Sequence, residues 1–248
     1  MITIAYGESA PQLAELWLPA DRGDGASSPV VVLVHGGFWR KTYGLDLMDP
    51  LAADLAARGV AVWNVEYARV GQPGGGWPGT LTDVAAAVDK LAAIALDHRL
   101  DTDDVAVVGH SAGGHLALWV ASRPSLPAGA PGADPIVAPR LVVGLAPVAD
   151  LAAAARDGVG NGAVAEFLGG WPPDVPERYA VATPAIAPGV EVVVVRGSAD
   201  DVVPAAYTVA PGSGRVTIVD IAGDDHFDLI DPASKSWAAT VAALGLAG

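Results

Sequence analysis

The chain of 248 residues contains no cysteine. Disulfides, thiolate nucleophiles and cysteine-based metal sites are excluded together, so any chemistry must run on oxygen or nitrogen groups. The same absence fits either redox compartment. Positive charge is also scarce, with 14 Lys and Arg against 28 Asp and Glu and a formal net charge of -14. That balance repels a phosphate backbone, and no basic stripe offsets it locally, so nucleic acid is not an expected partner. The acidity reads as a solubility device. Long apolar runs are missing too: charges and prolines interrupt the alanine-rich segments before any could span a bilayer. The opening MITIAYGES has neither a basic n-region nor an apolar h-region, and the expectation is a soluble cytoplasmic protein with no membrane partner. With 52% apolar residues, the length suits one globular domain over 1–248.

What is present is an alternation of short apolar runs with helical stretches. Segments 2–6 and 13–18 read as a leading antiparallel pair. Then 30–34, 60–67, 105–108, 141–145, 191–195 and 215–221 read as strands, the later ones nearly continuous in Val, Ile and Leu, as parallel strands covered on both faces require. Between them 46–58, 80–97, 112–122 and 234–246 carry helical spacing. Thr80 and Asp83 suggest a capping box, and Gly59 a helix stop. The expected fold class is α/β: a mostly parallel twisted sheet of about eight strands with helices on both faces. Residues 71–79 and 123–140 are loops rich in Gly and Pro. Residues 146–189, with two short helical pieces and a proline-rich stretch, are expected to form a small lid excursion over the sheet.

The sharpest motif is Gly109-His110-Ser111-Ala112-Gly113, between the 105–108 strand and a helix. A serine there sits on a tight turn, its hydroxyl projecting above the strand ends and the positive end of the helix dipole nearby. The motif resembles the nucleophile elbow of the α/β-hydrolases. Serine is a weak nucleophile unless a histidine takes its proton and a third group orients that histidine. Of five histidines only His226, in GDDHFDLID, lies far downstream of Ser111. Taken alone it would read as a structural histidine among acidic neighbours. In the chain order Ser, acid, His, the carboxylate comes from RGSADDVVP, as Asp200 or Asp201. Asp224, Asp225 and Asp228 read as surface carboxylates, because no histidine cluster accompanies them to hold a metal.

Acyl transfer also needs N–H donors for the developing oxyanion. In VVVLVHGGFWRK (30–41) the glycines let backbone approach a substrate closely. Gly37 and Phe38 N–H are the expected donors beside that of Ala112, with Gly36 making the turn and His35 bracing the loop rather than acting as a base. Trp39 suits a substrate pocket or the core equally well.

HGGFW, GHSAGGHLALW, GSADDVVP and DHFDLI together resemble the esterase and kynurenine formamidase (arylformamidase) branch of the α/β-hydrolases, over about residues 30 to 240. The resemblance implies a G-x-x-D-x-x-V-P spacing that selects Asp200, a Ser111–His226–Asp200 triad, no cofactor, and a small ester or aryl formamide as substrate. Phe38 departs from relatives with a third glycine. Arg40, Lys41 and Arg69 are the cations that could meet a substrate carboxylate. Rival readings are a short-peptide or acyl-peptide hydrolase and a noncatalytic binding protein of this fold. The chain could be a monomer or a homodimer.

Overall fold

The computed structural model describes residues 1–21, 27–211 and 214–247; residues 22–26, 212–213 and 248 of the expected 1–248 domain lie outside the described residues. Eight strands form one sheet: β1 (Ile2–Ala5), β2 (Leu13–Trp17), β3 (Ser28–Val34), β4 (Ala61–Val65), β5 (Leu100–His110), β6 (Leu141–Leu145), β7 (Glu191–Gly197) and β8 (Thr217–Ile221). Their order is β1-β2-β4-β3-β5-β6-β7-β8. The β1–β2 and β2–β4 pairs are antiparallel and the rest parallel. Each expected run became a strand, and β3, β4 and β6, buried almost throughout, are the uninterrupted ones.

The order reverses at β3. From β3 the chain crosses outward to β4, then returns past β3 to β5 and continues to β8. Right-handed crossovers in opposite directions put their helices on opposite faces. α1 (Asp49–Ala57) therefore lies on one face, where Trp237 Nε1 of α7 (Lys235–Ala243) donates to Asp54 at 2.7 Å. α2 (Gly79–His98) and α3 (Ala112–Val120) lie on the other. Such a reversal opens a crevice at the carboxyl ends of the two strands that flank it, β3 and β5.

Local chemistry explains the element ends. Gly59, at φ +94°, ends α1 as the glycine past the C-cap. α2 buries Leu81, Val84, Val88 and Leu91, one stripe at helical spacing. The expected capping box does not form. Thr80 and Asp83 turn instead to the buried backbone of Ala68: Thr80 Oγ1 donates to its carbonyl at 2.5 Å, and Asp83 accepts from its N–H at 2.9 Å. A buried loop has no ladder to satisfy those groups, so it takes the side chains a cap would have used.

Between β6 and β7 the excursion carries three short helices, α4 (Leu151–Arg156), α5 (Ala163–Leu168) and α6 (Pro176–Ala182). α6 arises in the proline-rich stretch, one helix more than expected, because Pro176 falls at its first position, where no N–H is needed. Between Pro204 and Gly214 the described residues hold one 3₁₀ turn, Ala205–Tyr207.

Candidate active site

β5 ends at His110 and α3 begins at Ala112, which leaves Ser111 alone in the turn at φ 57°, ψ -119°. A non-glycine residue held there costs about 1–3 kcal/mol, so the surroundings must impose it. They do: Ser111 N–H donates to Leu145 O at 2.8 Å, and Ser111 O accepts from His115 N–H at 3.0 Å. The flanking glycines are obligatory. A Cβ on Gly109 would lie 2.1 Å from Gly113 O, and one on Gly113 2.1 Å from Val34 O.

The next two strands deliver the other two residues. Asp200 follows β7 and His226 follows β8, and His226 Nδ1 donates to Asp200 Oδ2 at 2.7 Å. The other carboxylate oxygen accepts the N–H groups of Val202 and Val203, both at 2.9 Å. Burial works to raise the Asp200 pKa, but the bonds from His226, Val203 and Val202 outweigh it and hold the carboxyl below the usual range. Asp201 points outward and is exposed. Asp224 ties the histidine loop down: its carboxylate accepts from Ser236 Oγ at 2.7 Å and Ser236 N–H at 2.9 Å, and its carbonyl accepts Ala199 N–H at 3.0 Å. Asp225 and Asp228 accept backbone N–H groups within the same turn.

The loop after β3 meets these residues from the other side. His35 Nδ1 lies 2.8 Å from Gly36 O and Nε2 2.9 Å from Glu66 Oε1. Both ring nitrogens are thus engaged, one by the loop backbone and one by a carboxylate. In a trans peptide the carbonyl and the following N–H point opposite ways. Fixing Gly36 O toward His35 therefore turns Gly37 N–H away from it. Glu66 also accepts Tyr67 N–H at 2.8 Å and pairs with Arg69 at 3.1 Å, and Tyr67 OH donates to His35 O at 2.7 Å. Burial pushes the Glu66 pKa up, but His35, Tyr67 N–H and Arg69 together bring it below the usual range.

Three successive residues then take positive φ: Gly37 (109°), Phe38 (53°) and Trp39 (55°). The turn leaves Phe38 on the site but sends Trp39 into the core. Its fully buried indole stacks on Phe167 at 4.8 Å and meets His115 edge-on at 5.3 Å. Trp39 as a substrate-binding residue is thus corrected to a core residue. Arg40 closes the turn, its N–H donating to Gly37 O at 3.0 Å. Its guanidinium binds the excursion at Glu166 (2.7 Å), Gly160 O (3.0 Å) and Asn161 O (3.1 Å).

Ser111, His226, Gly37 and Phe38 share one cavity of about 190 Å³, walled further by Tyr43, Leu47, His110, Val202 and Phe227. Tyr43 and Phe227 form its rim, 44% and 51% exposed. Ala112 is the first residue of α3, so its N–H has no carbonyl behind it in the helix. A hollow of about 400 Å³ lies at the far end of the strands, beside Pro29 and Arg140, but brings no nucleophile and base together. Two residues that sequence reading missed matter here. Glu66 organises the β3 loop, and His110 packs its ring 4.4 Å from that of His226. The partners that place them, His35 and the carbonyl of His226, are distant in the chain, and only the x position of GHSAG, with its polar side chain, hinted at either.

A parallel sheet with an antiparallel second strand, a serine elbow at the order reversal and a histidine beyond the last strand define an α/β-hydrolase. Solved structures agree on the fold. A truncated carbohydrate esterase from gut microbiota superimposes with a TM-score of 0.80 at 16% identity, over 99% of this chain and 95% of that one. Esterase B of Lactobacillus rhamnosis gives 0.77 at 22% identity, over 98% and 84%. The chain belongs to the BD-FAE family, which matches residues 15–210. That stretch holds Ser111 and Asp200 but stops short of His226. Among curated proteins, esterase LipQ of Mycobacterium tuberculosis is 29% identical over 130 residues, 52% of this chain and 30% of that protein. The chain thus spans about a third of the relative's length.

Proposed function

We propose that this chain is a serine esterase that cleaves small, uncharged carboxylic esters through an acyl-enzyme on Ser111. The observation that carries the reading is the convergence on one apolar cavity of an elbow serine and a histidine whose far nitrogen is bonded to a buried carboxylate. His226, with Nδ1 engaged by Asp200, takes the Ser111 proton on Nε2 as Oγ attacks the ester carbonyl. The N–H groups of Ala112, Gly37 and Phe38 receive the oxyanion. Collapse expels the alcohol, which leaves with the proton from His226. Water, deprotonated by the same nitrogen, then attacks the acyl group, and the carboxylic acid departs with Ser111 restored. Asp200 stays ionised throughout and steadies the imidazolium.

Esters are favoured over an aryl formamide bearing an amino-acid end. Such a substrate needs a cation for its carboxylate, and two of the three candidates are engaged elsewhere: Arg40 holds the excursion, and Arg69 pairs with Glu66 and binds Gln72. Lys41 is exposed and is not among the residues that wall the cavity. The names of the relatives, esterases in each case, agree with this choice. The test is turnover of p-nitrophenyl acetate and butyrate beside N-formylkynurenine, with fluorophosphonate labelling located by mass spectrometry. The wild type should favour the esters and take the label on Ser111. Ser111→Ala should lose the label and at least about 10⁴-fold in kcat. An unlabelled Ser111→Ala protein that keeps its rate would overturn the reading.

A further inference from the structure

The chemistry above leaves His110 without a task, yet its buried ring packs directly against the base. It is 1% exposed, and its Nε2 lies 2.9 Å from His226 O. A carbonyl can only accept, so Nε2 carries the proton and Nδ1 the lone pair. Nδ1 has no hydrogen-bond partner and faces Gly36, where an added Cβ would lie 3.0 Å from it. The ring also packs against His226, centroids 4.4 Å apart and planes at 46°. One side chain therefore touches the elbow that carries it, the oxyanion turn and the backbone of the base 116 residues later.

The base needs such a hold. His226 rides on a loop that leaves β8, the edge strand, whose Thr217, Ile218 and Asp220 are exposed. Asp200 fixes its ring and Asp224 its approach, but these tethers end on the loop after β7 and on α7, and neither reaches the elbow that carries Ser111. We propose that His110 is a positioning residue that fastens the His226 backbone to the elbow and so sets the separation of base and nucleophile. The proposal rests on the esterase reading. Burial first, and then the neighbouring His226, depress the His110 pKa to about 3, which keeps the ring neutral beside a base that must become an imidazolium. Histidine suits the position because it reaches the carbonyl with a rigid, uncharged donor. Lysine or arginine would bring a permanent charge, and asparagine stops a bond short.

Three variants separate the donor from the bulk. His110→Gln keeps an N–H near the reach of Nε2, His110→Asn places it near Nδ1, and His110→Leu fills space without one. With active sites counted by fluorophosphonate titration, His110→Gln should keep most of the wild-type kcat on p-nitrophenyl butyrate. The other two should lose about 10²-fold, the usual effect of a misplacement near 1 Å, at little-changed KM. The low-field proton resonance of His226 Nδ1–H is read without substrate. It should stay sharp in wild type and His110→Gln and broaden in the other two. Nitrogen NMR of the unaltered protein should show His110 as the Nε2–H tautomer at neutral pH. A His110→Leu protein with wild-type kcat and a sharp resonance, equal losses in the Gln and Leu variants, or a charged or Nδ1–H His110 would each overturn the proposal. A wild type inert toward esters would remove the esterase reading instead, and the resonances would still test the hold.

Discussion

Two loops face each other across the cavity, and they are built differently. The loop after β3 starts from the interior of the sheet, between β4 and β5, and sits on buried polar groups whose bonds close among themselves: His35, Glu66, Tyr67 and Arg69. The loop after β8 starts from the edge, carries the half-exposed Phe227, and is fastened at separate points by Asp200, His110 and Asp224. The contrast matches what each side would contribute under the esterase reading proposed above. Fixed dipoles stabilise a transition state only if they need not reorganise when charge appears, so the donor loop is braced on every side. A base must exchange a proton twice per cycle, and it needs only its ring nitrogen held in place.

The comparison can be broken first on the edge side. Asp200→Asn should keep the shape of the tether but favour the wrong histidine tautomer, lowering kcat by about 10⁴-fold, whereas Asp201→Asn should leave steady-state rates unchanged. Equal effects would mean that the exposed neighbour shares the role. On the braced side, Glu66→Gln removes the charge that His35 and Arg69 surround. Breaking a buried pair in this way costs about 3–5 kcal/mol, so urea melts should show a large loss of stability. Wild-type stability in that variant would remove the distinction between the loops.

The most gradual effect is that of pH. His110 and His115 are buried and neutral, with pKa values of about 3 and about 4 against an ordinary 6.5, burial being the leading cause in both. The unfolded chain therefore takes up their protons first. Their contribution is full above about pH 6.5 and is lost on acidification toward the folded values, by up to about 1.4 kcal/mol per pH unit for each histidine. Glu66 and Asp200, both held below the usual carboxylate range, add their loss only at lower pH. Urea melts between pH 7.5 and 5 should show the histidine slope, and His110→Gln should remove part of it. A flat profile would contradict the assignment of these rings as buried and neutral.

Much of this was legible in the residues. Runs such as VVVLV and EVVVV can scarcely be anything but covered strands, and GHSAG between strand and helix located the elbow. The residues of RGSADDVVP left Asp200 and Asp201 open and the family resemblance favoured Asp200, whose carboxylate lies against His226. The capping box was misread because local spacing cannot reveal that Ala68, twelve residues before Thr80, would claim its hydroxyl. Trp39 was undecidable because an indole suits core and pocket alike; the run of positive φ decided it. Glu66 and His110 stayed hidden for the same reason: His35 and the carbonyl of His226, which give them their places, stand 31 and 116 residues away, and periodicity records faces, not distant pairs.

Arg40 gives the excursion between β6 and β7 a mechanical meaning. Its backbone closes the turn that begins at Gly37, while its guanidinium holds Gly160, Asn161 and Glu166, and Phe167 stacks on Trp39 next door. Swinging that segment aside would break three hydrogen bonds and an aromatic stack, and would pull on the turn that carries Gly37 N–H. The excursion and the loop after β3 are thus tied into one piece. Tyr43 and Phe227, both partly exposed, wall the cavity that holds Ser111 and His226, and no residue of the excursion is among those that line it.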